Sequence, residues 1–314
     1  MSAGFRLIMI SAMYENGGNT TQRLLDGHPE LFAYPFESQV GTKYVLDHFS
    51  SMFPLKYRWP VFPLTGDSAA DYETIIDEEC KVRIKTPRSS KFRDYPIQMS
   101  DRDRKEVFVR LMEDRERTRS GLVEAFFRSS AEAWRDYARS GREHTYVGYS
   151  PIIVVDADKI IADLPGGHVL HVIRNPWSAY ADTKKRPLPL SMSHYIAGWC
   201  VNQMAALTFS ARFPDRVHIL RFEDIVADPV RVLGRFLARL EIGSSPTLGR
   251  PSWNGNALAE VYPWGTVRIP TPEANRATAD ELSTAEKDEI RDRAGILLEK
   301  FGYADFLAQS RTAA

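Results

Sequence analysis

The chain has 314 residues, 43% hydrophobic and 26% charged, which is the composition of an ordinary globular protein and enough length for one α/β unit carrying insertions. Lys plus Arg and Asp plus Glu both number 41, so the formal charge is zero. A duplex-binding protein usually carries a basic excess, so the balance argues against a nucleic-acid partner and leaves room for a local basic pocket.

In chain order, Phe5 to Met13 is an apolar run that stops at ENGGN, the pattern of a buried strand entering a turn. Thr20 to Asp26 reads as a short helix, and Phe49 to Ala70, aromatic and proline-rich without a period, as an irregular insertion on the substrate side. KVRIKT (Lys81 to Thr86) alternates and predicts a second strand. Asp101 to Gly141 is charged and helical, with Phe108, Leu111, Met112, Leu122, Phe126 and Phe127 as its apolar stripe. Ile153 to Leu164 fits a helix, and HVLHVI (His168 to Ile173) a strand followed by the turn Arg174-Asn175-Pro176. A long helix through Ile196 and Leu207, a strand RVHILRF (Arg216 to Phe222), a helix through Leu233 and Leu240, and a closing helix from Ile290 to Phe301 complete the pattern.

Strands alternating with helices predict an α/β fold with a central, mainly parallel sheet flanked by helices, as a single domain over 1–305 and a flexible tail over 306–314. In such sheets ligands bind beyond the carboxyl ends of the strands. Cys80 and Cys200 lie far apart without metal-ligand spacing, and no metal cluster is expected. The opening MSAGFRLIMISAM lacks the basic start and sustained apolar core of a signal peptide, and no run approaches the roughly 18 apolar residues of a membrane helix. A cytoplasmic protein without a membrane span is therefore expected.

Two segments carry the chemistry. In ENGGNTT, Gly17 and Gly18 let the backbone turn its N–H groups toward one point at a helix start, and Asn16, Asn19, Thr20 and Thr21 add polar donors. The plain alternative is a glycine turn with an Asn or Thr cap. The Gly-Lys-Ser/Thr ending of a nucleotide triphosphatase loop is absent. In HVIRNPWSAYADTKKR, Asp182 follows Arg174 by eight residues and Arg186 by twelve, so a helix brings them toward one side where Arg174, Arg186 and Lys185 can surround a dianion. The alternative is a surface helix whose basic end complements its dipole.

Together these segments, with RFEDIVADP (Arg221 to Pro229) and ELSTAEKDEIRDRAGILLEKFGY (Glu281 to Tyr303), resemble the sulfotransferases that use 3′-phosphoadenosine-5′-phosphosulfate (PAPS). The resemblance implies a P-loop-like sulfotransferase fold and a sulfuryl transfer from PAPS, leaving PAP, with no metal required. It implies that the first loop holds the 5′-phosphosulfate and that Arg174 and Arg186 hold the 3′-phosphate. Asp182 stands where the family has Ser, Glu15 where it has Arg or Lys, and Tyr149 of GYSP where it has Lys. In relatives a C-terminal Arg-containing loop covers the nucleotide, which implies Trp264 on the adenine and Arg268 near the 3′-phosphate.

A hydroxyl acceptor must lose a proton, and Glu37 in YPFES occupies the place of a base-like Glu in many relatives. Lys85 in IKTP is the candidate for stabilising charge on the leaving oxygen, an exposed strand lysine being the alternative. The acceptor is expected to be a small molecule or a glycan. Two rivals remain: a P-loop-type small-molecule kinase, which the missing Lys-Ser/Thr disfavours, and a PAP-binding protein that has lost transfer activity.

Overall fold

In the computed structural model, residues 4–63, 66–113, 115–261 and 271–308 are described. Its frame is five strands: β1 (Arg6–Ser11), β2 (Leu31–Ala33), β3 (Thr145–Tyr149), β4 (Gly166–Ile173) and β5 (Val217–Arg221). They lie in the order β2-β3-β1-β4-β5, each neighbour parallel to the next. Between and after them come α1 (Gly18–Leu25), α2 (Ser68–Thr74), α3 (Glu78–Lys85), α4 (Asp101–Met112), α5 (Arg119–Ala133) and α6 (Ala157–Asp163). The second half adds α7 (Pro176–Lys184), α8 (Met192–Arg212), α9 (Phe222–Ala227), α10 (Pro229–Ala238), α11 (Pro272–Asp280) and α12 (Thr284–Lys300).

Strand β1 is central because both of its faces are apolar. Leu7 and Met9 pack with Phe126 and Phe127 of α5 and Ile160 of α6, on one side of the sheet. Ile8 and Ile10 pack with Leu24 and Leu25 of α1 and with Leu233 and Leu237 of α10, on the other. A strand buried on both faces is what a parallel sheet covered by helices requires. A third cluster, with Trp177 of α7, Tyr195 and Trp199 of α8, and Ile290 and Leu298 of α12, closes over Ile173 at the end of β4.

The expected α/β class with a mainly parallel, helix-flanked sheet is the one observed. One expected strand is not a strand: KVRIKT belongs to helix α3. The acids Glu78 and Glu79 in its first turn and the cations Arg83 and Lys85 in its last both suit the helix dipole. An alternation over six residues, with only Cys80 of the helix buried, does not outweigh that. In its place the sheet gains β2, three residues long, and β3. Among its described residues the 49–70 insertion is mainly irregular, with a 3-10 turn at Leu55–Tyr57 before α2. It is fastened by Arg58, fully buried, whose Nε meets Asp156 Oδ2 at 2.7 Å.

Candidate functional site

The loop after β1 and the turn after β4 meet at the carboxyl edge of the sheet, and Asn16 is their join. Its Oδ1 accepts the backbone N–H of Arg174 at 3.0 Å and the Trp199 indole N–H at 3.2 Å. Its Nδ2 donates to Tyr14 O at 2.9 Å and to the Tyr195 hydroxyl at 3.0 Å. The side chain of Asn16 is thus fully employed in holding two backbones together.

Gly17 has φ +91° and Glu15 φ +60°, both in the left-handed region; for Glu15 that conformation costs energy. The glycines also admit two rings. A Cβ on Gly17 would lie 2.1 Å from Phe222 Cδ2, and one on Gly18 would lie 2.2 Å from Tyr149 Cε2. Helix α1 begins there with Gly17 at its N-cap and no side-chain capping hydrogen bond. By contrast α7, α8 and α12 are capped by Asn175, Ser191 and Ser283. Thr21 hydroxyl bonds back to Gly17 O at 2.9 Å, within the helix, and Thr20 is buried. Asn19 is half-buried.

Arg174 leaves the end of β4 into this junction. Its Nη1 donates to Glu15 O at 2.9 Å and to Asp182 Oδ2 at 2.7 Å, and its Nε bonds Asn275 Oδ1 of α11. Its guanidinium lies 5.3 Å from the centre of the Phe222 ring. Lys185 reaches the other oxygen of Asp182 at 3.0 Å and Glu281 at 3.0 Å. Arg186 sits over the Tyr14 ring at 5.1 Å, with Nε 3.8 Å from Glu15 Oε1. Three cations, Arg174, Lys185 and Arg186, therefore face three carboxylates, Glu15, Asp182 and Glu281. Burial raises the Glu15 carboxyl above its usual pKa; Arg186 and Arg174 pull it down, while Asp182 and Glu37 push it up.

Behind the turn, Glu223 of α9 gathers the backbone. Its Oε1 accepts from Asn175 N at 3.0 Å, Asn175 Nδ2 at 2.8 Å and Asn275 Nδ2 at 3.0 Å. Its Oε2 accepts the Tyr303 hydroxyl at 2.6 Å. Ser178 hydroxyl donates to Asn275 O at 2.6 Å.

Glu37 follows β2 and is close enough to Glu15, Tyr14 and Tyr57 to shift all three. Its backbone N–H donates to Glu79 Oε2 of α3 at 3.1 Å, and Gln39 Nε2 reaches its Oε2 at 3.4 Å. Glu79 in turn is ion-paired with Lys91. Burial pushes the Glu79 carboxyl up to about 7, with Glu37 adding to the rise and Lys91 opposing it. Burial works against the charge of Lys91, but Glu79 and Glu37 outweigh it and hold its pKa above the usual lysine value.

The expected site residues are thus brought together on the β1 and β4 loops, with Glu37 beside them. Lys85 lies elsewhere: it is exposed on α3 and pairs with Asp101 of α4 at 2.7 Å. Lys91, which no motif marks, pairs with Glu79 beside Glu37. Trp264 and Arg268 lie outside the described residues. Among the described residues no group of three or more His, Cys, Asp or Glu could hold a metal ion, and no helix is long and apolar enough to cross a membrane.

Comparison with known proteins bears on the family and the fold. Residues 17–246 match the sulfotransferase family. The fold is similar to that of the sulfotransferase domain from the curacin biosynthetic pathway, at 15% identity and a TM-score of 0.53 over 94% of this chain and 98% of that one. The sulfotransferase domain from the Synechococcus PCC 7002 olefin synthase aligns at 13% identity and a TM-score of 0.48, over 90% and 96% of the two chains. Among curated proteins none matches. The match covers well over half of the sequence, so the chain belongs to the sulfotransferase family.

Proposed function

We propose that the chain moves a sulfuryl group from PAPS onto a hydroxyl or amine of a small-molecule or glycan acceptor. The observation that carries this reading is the start of α1: an uncapped helix N-terminus at the carboxyl edge of the sheet, flanked by Arg174 and Arg186 and approached by Glu37. Backbone N–H groups and the helix dipole favour an anion there. The residues fit the 5′-phosphosulfate end of such a donor. Bound there, the donor supplies an activated sulfuryl group for in-line displacement.

The chain's own part is positioning and charge. Gly18, Asn19, Thr20 and Thr21 present the α1 N-terminus, Asn16 holds its loop against the β4 turn, and Arg186 stands at its open side. Arg174 and Asp182 form the inner wall. Glu37 takes the acceptor's proton, and its backbone is fixed by Glu79 and its carboxylate by Gln39. Lys91 is ion-paired with Glu79 of this carboxylate pair; Lys85 supports α3 against α4 instead.

Incubation with PAPS and a panel of phenols, sugars and amines, following PAP release, tests the reading. Acceptor-dependent PAP release supports it. Binding of ATP with Mg²⁺ in place of PAP would overturn it.

A further inference from the structure

Arg174 and Asp182 are both enclosed, their side chains 5% and 3% exposed. A guanidinium taken out of water needs an anion beside it, and breaking such a pair leaves a charge uncompensated. Here the anion is supplied by the chain: Asp182 Oδ2 at 2.7 Å from Nη1. Other donors of the fork are committed as well, Nε to Asn275 and Nη1 also to Glu15 O. Lys185 closes on the far oxygen of Asp182. The inner wall of the cradle is therefore charge-balanced before any ligand arrives. The α1 N-terminus, by contrast, makes no side-chain capping hydrogen bond. The two ends of the cradle thus differ in what they offer an anion.

We propose that Asp182 is a specificity-determining residue of the donor site: it stands in for an anion on Arg174, so that a 3′-phosphate adds little to binding. The inference rests on the nucleotide-sulfate reading above. A phosphate dianion placed against Arg174 meets the Asp182 carboxylate and is repelled by it; displacing Asp182 would in turn break a buried pair. Adenosine nucleotides that carry a 5′-phosphate or phosphosulfate bind nearly alike with or without the 3′-phosphate. The donor class widens accordingly to adenosine 5′-phosphosulfates in general.

Calorimetric titration of the full chain with PAP and with AMP tests this, using wild type, Asp182→Ser and Asp182→Asn. Wild type is expected to bind the two within about threefold of each other, and each variant to favour PAP by about ten- to hundredfold, the worth of a charge-assisted phosphate contact. The variants remove the carboxylate beside Arg174, so PAP should also raise their melting temperature more than AMP does. A wild-type preference for PAP above about thirtyfold overturns the proposal while leaving the PAPS reading intact. So does an unchanged ratio in variants that fold, and if they do not fold the wild-type ratio decides alone. Failure of both nucleotides to bind any of the three proteins removes the donor reading and this proposal together.

Discussion

The Asn16 side chain accepts the Arg174 backbone N–H at 3.0 Å, which makes the first loop and the β4 turn one hydrogen-bonded unit. Asn16→Ala would strip Arg174 N and the Trp199 indole of that acceptor in a buried setting. The expected loss is about 2–4 kcal/mol of stability, given about 1–3 kcal/mol for each unsatisfied buried donor and the second acceptor that Trp199 retains in Arg174 O. Urea unfolding measures it.

Gly17→Ala tests the ring contacts. The residue has φ +91°, and a Cβ would overlap Phe222. A loss of about 2 kcal/mol or more is expected from strain and overpacking together. A Phe222→Ala background removes the clash and should recover part of the loss, which a double-mutant cycle reads.

Glu37→Gln should spare PAP binding and reduce turnover by roughly 10²–10⁴. Calorimetry and a PAP-release assay on the same preparation separate the two effects. Near-normal turnover would move the base to another group.

Glu79 gives a pH prediction. Its carboxyl pKa rises to about 7 in the fold, so the folded chain holds this proton at pH values where the unfolded chain has released it. The stability from this group is complete below the unfolded value near 4.5 and is lost as pH rises through about 7. Wild type should melt at a lower temperature at pH 8 than at pH 5, and Glu79→Gln should flatten that difference. A melting curve series across this range checks it.

Lys85→Ala and Lys91→Ala should differ. Lys85 is half-exposed and its pair with Asp101 is worth about 0–1 kcal/mol, with turnover unchanged. Removing Lys91 takes away the cation that opposes the rise at Glu79, so the Glu79 carboxyl titrates higher and the basic limb of the stability curve moves up in pH.

Much of the frame was legible in the residues. LIMI, HVLHVI and RVHILRF are largely apolar runs, and they became β1, β4 and β5. The Arg174-Asn175-Pro176 turn announced a helix through its cap and proline, and α7 starts there. β2 was hidden because three residues cannot show a period. KVRIKT alternates, but its helix is set by charges at its ends and by what α3 packs on. Glu79, Lys91, Asn275 and Tyr303 belong to no local pattern; they reach the site from distant elements, and only the fold makes them neighbours. Asp182 was visible as a carboxylate at an unusual position, but its role as the partner of Arg174 depends on burial, which spacing does not report.

The Tyr303 hydroxyl on Glu223 has a consequence for synthesis. Glu223 organises Asn175 and Asn275, and its second oxygen is met by a residue that follows the last long helix. On the ribosome the β4 turn emerges before Glu223, and the Tyr303 that meets Glu223 later still. A nascent chain halted before α12 would hold all five strands but lack the Tyr303 partner of Glu223. The hydrogen bond that completes Glu223 can therefore form only after residue 303 has been made.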